Sequence, residues 1–165
     1  MFIRTKKIHS GHYAYLVQNE WTKKGSRQKT KAYLGRIFHF GEVDHHCPQD
    51  FASTSEFLTK CFHSLLLKMG FSEEKGTYSK DDLYVDLRRH CVQRKNRPAV
   101  LAANQGFLCE HTLKEAYRLT HSAHVAQLQK AGTNLGLALA NTLVAAGLLI
   151  DENAFIQLYG QIVPK

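Results

Sequence analysis

Lysine and arginine crowd the start of the chain, with aromatic residues set among them. Arg4, Lys6, Lys7, Lys23, Lys24, Arg27, Lys29 and Lys31 are interleaved with Tyr13, Tyr15, Trp21 and Tyr33. Cations of this kind neutralise phosphates and release counterions, which gives affinity without sequence information. Aromatic rings between them can stack on unpaired bases. The pattern points to a polyanion, with nucleic acid ahead of an anionic membrane surface. A second group, Arg88, Arg89, Arg94, Lys95 and Arg97, has no acid between Arg88 and Pro98. It extends the same phosphate-binding surface if the two basic segments face the same way. The plain alternative is a solvated face, with the tyrosines in the core and Asp81, Asp82 and Asp86 balancing the second group.

Other residue types admit other chemistry. Asp86, in Leu83–Leu87, is the best placed lone strand carboxylate for a metal-dependent nuclease. Such a site needs several clustered carboxylates to hold Mg²⁺, and Asp81, Asp82 and Glu110 share no spacing motif with it. Histidine and cysteine fall close together at His46-Cys47, at Cys61 and His63, at His90-Cys91, and at Cys109 and His111. None has the CxxC or HxxxH spacing that lets one turn present two zinc ligands. His39, His45, His46 and Cys47 come nearest to a cluster, and Cys61 already belongs to an apolar helix stripe. Cys91, beside Arg88, Arg89 and Arg94, has the charge environment of a reactive thiol but no oriented base. The expectation is four free thiols, mostly buried, with no metal and no cofactor.

The charge is unevenly placed. The 165 residues carry 22 Lys+Arg and 14 Asp+Glu, a formal net charge of +8. Nine of those cations and a single acid, Glu20, lie in residues 1–40, leaving thirteen of each in residues 41–165. The first quarter therefore carries the whole excess. Hydrophobic residues make up 44%, enough for a packed core, and 11 Gly with 3 Pro exclude a collagen-like or low-complexity chain. Met1–Lys7 lacks the apolar run of a secretory leader. Leu135–Ile150 falls short of the ~20 residues that span a bilayer. A cytoplasmic protein without membrane contact is expected, with nucleoid or ribosome association open.

Elements must position these side chains. Residues 2–36 read as a three-stranded antiparallel meander, with turns at Ser10-Gly11 and at Thr22–Ser26, and a third strand from Gln28 that Gly35 ends. Tyr13, Tyr15 and Val17 alternate against Ala14 and Leu16. Residues 37–52 read as a connector. Ser53 and Glu56 have capping-box spacing and open a helix over 54–69, with Phe57, Leu58, Cys61, Phe62, Leu65, Leu66 and Met69 on its buried stripe. Residues 82–105 read as one hairpin, with strands at Leu83–Val92 and Ala99–Ala103. Thr112 and Glu115 open a further helix, 122–130 is helical, and Thr133–Ala146 is an apolar helix. Asp151 caps a last helix, with Phe155, Ile156, Tyr159 and Ile162 facing inward.

Three short segments resemble a known family. Met1–Arg4, Tyr13–Val17 and Arg27–Gly35, the last ending in Tyr33-Leu34-Gly35, resemble the N-terminal β-ribbon of some insertion-sequence DDE transposases. They are similar, too, to the N-terminal module of small uncharacterised archaeal proteins. The resemblance covers residues 1–36 only. It implies contact with element DNA through Arg4, Lys6, Lys7, Arg27, Lys29 and Lys31. Residues 41–165 are too short and too helical for the RNase H-like core with three spaced carboxylates, so transposase activity is not implied.

These readings combine into an α+β fold: a basic β-meander over 1–40, a connector over 41–52, and a mainly helical part with one β-hairpin over 53–165. The expected function is non-catalytic nucleic-acid binding, with DNA preferred over RNA or the ribosome. A metal-dependent nuclease, or a transposase-related fragment, is the enzymatic alternative. A protein–protein adaptor is the third reading, because the helix at 135–146 is apolar on nearly every side and suits a partner chain or a second copy.

Overall fold

The computed structural model describes residues 1–163. It is an α+β protein built on one nine-stranded mixed sheet. The strands are β1 (Phe2–Ile8), β2 (Gly11–Thr22), β3 (Gly25–Gly41), β4 (Ser72–Glu74), β5 (Thr77–Lys80), β6 (Leu83–Asp86), β7 (Cys91–Arg94), β8 (Arg97–Ala103) and β9 (Gly106–Leu108). Their order is β1-β2-β3-β8-β7-β6-β5-β4, and β9 also pairs with β8. Neighbours run antiparallel except at one seam, where β3 lies parallel to β8 with Arg36 opposite Ala99 and Phe38 opposite Leu101.

Turn chemistry sets this layout. His9, Lys75, Asp81, Lys95 and Asn104 each begin a two-residue connection and each has a positive φ near 50°. That backbone twist matches the right-handed twist of the flanking strands. At the β2–β3 tip the same task falls to Gly25, at φ +102°. The β6–β7 link is longer, and Asp86 organises it: its Oδ1 accepts the N–H of Arg88 (2.9 Å) and of Arg89 (3.1 Å).

The helices are α1 (Thr54–Lys68), α2 (Glu110–Arg118), α3 (Ser122–Lys130), α4 (Leu135–Ala145) and α5 (Glu152–Ile162). Ser53 caps α1 by accepting the Glu56 N–H, and the Glu56 carboxylate reaches back to the Ala52 N–H at 2.8 Å. Phe57, Leu58, Cys61, Phe62, Leu65 and Leu66 of α1 are fully buried. With Val85, Leu101, Leu108, Leu113, Leu139, Leu143 and Leu158 they form the main core. A smaller core on Ala14, Ile37, Val100 and Cys109 ties the meander to the central strands.

Several expectations change. Gly35 does not end the third strand. It sits at φ +131° inside β3, where a Cβ would collide with the Pro98 carbonyl. Ile37–Gly41, expected in the connector, continue β3 and form the parallel seam; irregular chain begins only at Glu42. The strand expected over Leu83–Val92 is broken into β6 and β7, while β4, β5 and β9 were not anticipated. The α2 cap is Cys109 rather than Thr112, which lies within the first turn, where its hydroxyl accepts the Cys109 N–H at 3.0 Å. On α5 the buried residues are Ala154 and Leu158, with Phe155 and Ile162 packed at the margin, whereas Ile156 and Tyr159 are exposed. Both are displaced because the stripe Ala154–Leu158 points at α1 and leaves them on the outer flank.

Candidate nucleic-acid interface

Two consecutive bulges decide which side chains share a face. Between Ala14 opposite Gly35 and Tyr15 opposite Tyr33, β3 holds one extra residue, Leu34. Between Leu16 opposite Ala32 and Val17 opposite Thr30, it holds another, Lys31. An extra residue shifts the alternation of a strand by one. Tyr33 and Arg36, three positions apart, therefore come to the same face, opposite Tyr15 and Tyr13. On that face Lys6 lies across from Tyr13 and Arg4 across from Tyr15.

The face runs over the seam to the β7–β8 turn. Tyr13, Tyr33, Arg36, Phe38, Arg94, Lys95, Arg97 and Pro98 line one open cavity of about 410 Å³. The guanidinium carbons of Arg36 and Arg94 lie 5.8 Å and 5.1 Å from the centroid of the Phe38 ring. The Tyr33 ring is 5.4 Å from Tyr15 and 6.5 Å from Tyr13, and Lys6 Nζ sits 5.4 Å over Tyr15. Tyr33 remains 49% exposed, so its ring is available to a ligand. Partial burial pushes its hydroxyl above the usual tyrosine range, which keeps it a neutral donor.

Some cations are engaged. Arg94 Nε meets Asp82 Oδ2 at 2.7 Å, and Lys95 Nζ meets the same oxygen at 3.7 Å. The Arg94 guanidinium holds the Asp82 carboxyl below the usual carboxylate range. Lys31 and Lys29 lie 3.2 Å and 3.5 Å from Glu20 and likewise lower its carboxyl. Arg4 donates to Gln28 Oε1 at 2.6 Å. Among the described residues, no carboxylate lies within 4 Å of Arg36, Arg97, Lys6, Lys7, Lys23, Lys24 or Arg27.

Beyond the cavity, β2 and β3 outrun β1. Pairing with β1 stops at Val17, but β2 and β3 stay paired from Gln18 opposite Lys29 to Thr22 opposite Gly25. Five residue pairs make a two-stranded ribbon roughly 17 Å long at the ordinary strand rise. It carries Lys23, Lys24, Arg27 and Lys29, and near its tip Trp21 is 86% exposed. The ribbon thus presents one large exposed ring among its cations.

Sequence-expected residues divide accordingly. Tyr13, Arg94, Lys95 and Arg97 meet in the cavity, with Tyr15, Lys6 and Arg4 on its flank. Trp21, Lys23, Lys24, Arg27, Lys29 and Lys31 belong to the ribbon and its base, and Lys7 lies on β1 opposite His12. Arg88 and Arg89 do not join them. They occupy the β6–β7 link, at the far end of a four-pair ladder from Arg94, roughly 13 Å of strand away. Arg36 and Phe38 were missed, although the alternation Arg36-Ile37-Phe38-His39-Phe40 past Gly35 is a strand signal.

Asp86, Cys91, His63 and His90 serve local structure. Asp86 is buried, spends Oδ1 on two backbone N–H groups, and receives the Tyr84 hydroxyl at 3.5 Å on Oδ2. No group of three or more His, Cys, Asp or Glu among the described residues is arranged to hold a metal ion. Burial pushes the Cys91 thiol up rather than activating it. His63 shares a hydrogen bond with the Tyr78 hydroxyl at 2.9 Å, and His90 stacks on Tyr117 at 4.7 Å. Among the described residues, no helix is long and apolar enough to cross a membrane.

No protein-family model, curated protein or solved structure matches this chain.

Proposed function

We propose that this chain is a non-catalytic nucleic-acid-binding protein, with the N-terminal ribbon and the β7–β8 turn gripping one strand backbone together. A single observation carries the reading: Tyr13, Tyr33 and Arg36 of the meander line the same cavity as Arg94, Lys95 and Arg97 of a segment some 60 residues on. Rings and guanidinium groups converging in one concavity suit a base set beside a phosphate. The projecting ribbon adds phosphate contacts through Lys23, Lys24 and Arg27, and a two-stranded ribbon has the width of a major groove. DNA is preferred over RNA on the resemblance of residues 1–36 to transposase ribbons.

Affinity for DNA and RNA oligonucleotides, single- and double-stranded, measured across a salt series, tests this. Affinity should fall steeply with salt. The double variant Arg36→Ala/Arg97→Ala should weaken binding at every salt concentration. It should also flatten the log–log slope by about 0.7 to 0.9 for each phosphate that is no longer neutralised. These two positions are chosen because neither holds a carboxylate partner. No binding to any of the four nucleic acids at low salt would overturn the reading.

The adaptor reading has one observation in its favour. Leu137 and Ile156, on α4 and α5, are 60% and 59% exposed.

A further inference from the structure

The irregular chain after β3 brings Cys47 down onto α1, where its sulfur lies 2.8 Å from that of Cys61. Cys47 is 4% exposed and Cys61 fully buried, and both are free thiols. Roughly 0.8 Å of further approach reaches the ~2.05 Å of a disulfide bond. The remaining cysteines are arranged differently. Cys109 caps α2 beside the Thr112 hydroxyl, 3.6 Å away, and Cys91 is half-buried on β7.

The pair is not symmetric. Cys61 donates its S–H to the Cys47 sulfur. His45 stands beside Cys47 and is itself fixed at both ring nitrogens. Its Nε2 accepts the Leu149 N–H at 3.3 Å, which leaves the ring proton on Nδ1, towards the Val43 carbonyl at 3.4 Å. The hydrogen bond donated by Cys61 draws the Cys47 thiol down, against burial and the charge of Asp151. The Cys61 thiol is pushed up, by its bond to Cys47 and by burial. Access is unequal as well. A cavity of about 420 Å³ lined by Asp44, His45, His46, Cys47, Leu149 and Asp151 leads to Cys47, while Cys61 lies behind it.

We propose that Cys47 and Cys61 are an oxidisable dithiol, with Cys47 the attacking sulfur and Cys61 the resolving one, closed to a disulfide within the folded protein by a small peroxide. The Cys47 thiolate attacks one peroxide oxygen and the O–O bond breaks. The leaving hydroxide takes a proton and departs as water, leaving a sulfenic acid on Cys47. The Cys61 sulfur then attacks the Cys47 sulfur. The S–O bond breaks, and the hydroxyl leaves with the Cys61 proton as a second water. Two thiols have lost two hydrogens and two electrons, and one hydrogen peroxide has become two waters. The cross-link ties the segment following β3 to α1 and lies apart from the basic cavity.

The test uses the full chain, reduced, freed of reductant and exposed to stoichiometric hydrogen peroxide before alkylation under denaturing conditions. Free thiols should fall from the four in the chain to two. Mass spectrometry should find the protein lighter by two hydrogens, with the Cys47 and Cys61 peptides linked, and dithiothreitol should restore all four thiols. The variant Cys47→Ser should keep Cys61 reduced at the same dose, while Cys91→Ser should still form the link. Four alkylatable thiols after peroxide, a link through Cys91 or Cys109, or Cys47 carried to sulfinic acid without a cross-link would each overturn the proposal.

Discussion

Asp82 shows how a single acid can set the strength of a basic site. It holds Arg94 at 2.7 Å and draws Lys95 towards the same oxygen, so two cations at the cavity rim are engaged by one carboxylate. A phosphate entering the cavity has to compete with it. Asp82→Asn should therefore tighten binding of a short oligonucleotide several-fold, measured by titration at low salt; unchanged or weaker binding would sink this account. The same pair has a pH signature. Arg94 lowers the Asp82 carboxyl in the folded protein, so the pair's contribution to stability is present above the unfolded value of about 3.9 and is lost as pH falls through the depressed folded value. Both groups are partly exposed and the gain is small. In acid denaturation curves, wild type should lose this increment below about pH 4, and Asp82→Asn should not.

Secondary elements were legible where one periodicity ran unbroken. The α1 stripe from Phe57 to Met69, with Ser53 as its cap, could be read directly because 3.6-residue spacing and cap chemistry agree. The meander could be read because strands of alternating residues are separated by turn residues. What could not be read was the phase of β3. The extra residues Leu34 and Lys31 leave no mark in composition, yet they turn Arg36 to the tyrosine face, and pairing with β8 carries the strand on to Gly41. Gly35 looked like a terminator because glycine is common at strand ends; its real cause is the Pro98 carbonyl at its back. The short strands β4 and β9 have three residues each, too few for any pattern to show. Gly35→Ala tests the point. It forces a side chain into a positive φ and against β8, and should cost about 1–3 kcal/mol or more. Chemical denaturation measures this, and a loss under ~0.5 kcal/mol would mean the seam is looser than it looks.

At the scale of the molecule, a second exposed apolar area lies away from the basic meander that carries Trp21 and Tyr33. The cations gather on the meander and the β7–β8 turn, while Leu137, Val144, Leu149, Ile156 and Tyr159 remain exposed on the C-terminal helices and their link. This second area is open to contact with another copy of the chain without covering the basic ribbon. If the helical side pairs two copies, sedimentation velocity should show a dimer at micromolar concentration that Leu137→Asp/Ile156→Asp dissociates without altering the thermal transition of the monomer. A single monomeric species at those concentrations would end the idea and leave the apolar side chains as ordinary surface.

The parallel seam has a consequence in time as well as in space. Hairpins between neighbouring strands need only two or four residues of chain to close, so they can form within microseconds. The β3–β8 ladder joins Arg36 to Ala99 across the whole of α1 and four intervening strands. Its loop-closure cost falls on one event, and no local contact rewards it in advance. The cavity straddles that seam. Tyr13, Tyr33 and Arg36 on the meander therefore meet Arg94, Lys95 and Arg97 only when that ladder closes, and a chain caught before it closes has both walls of the cavity and no cavity.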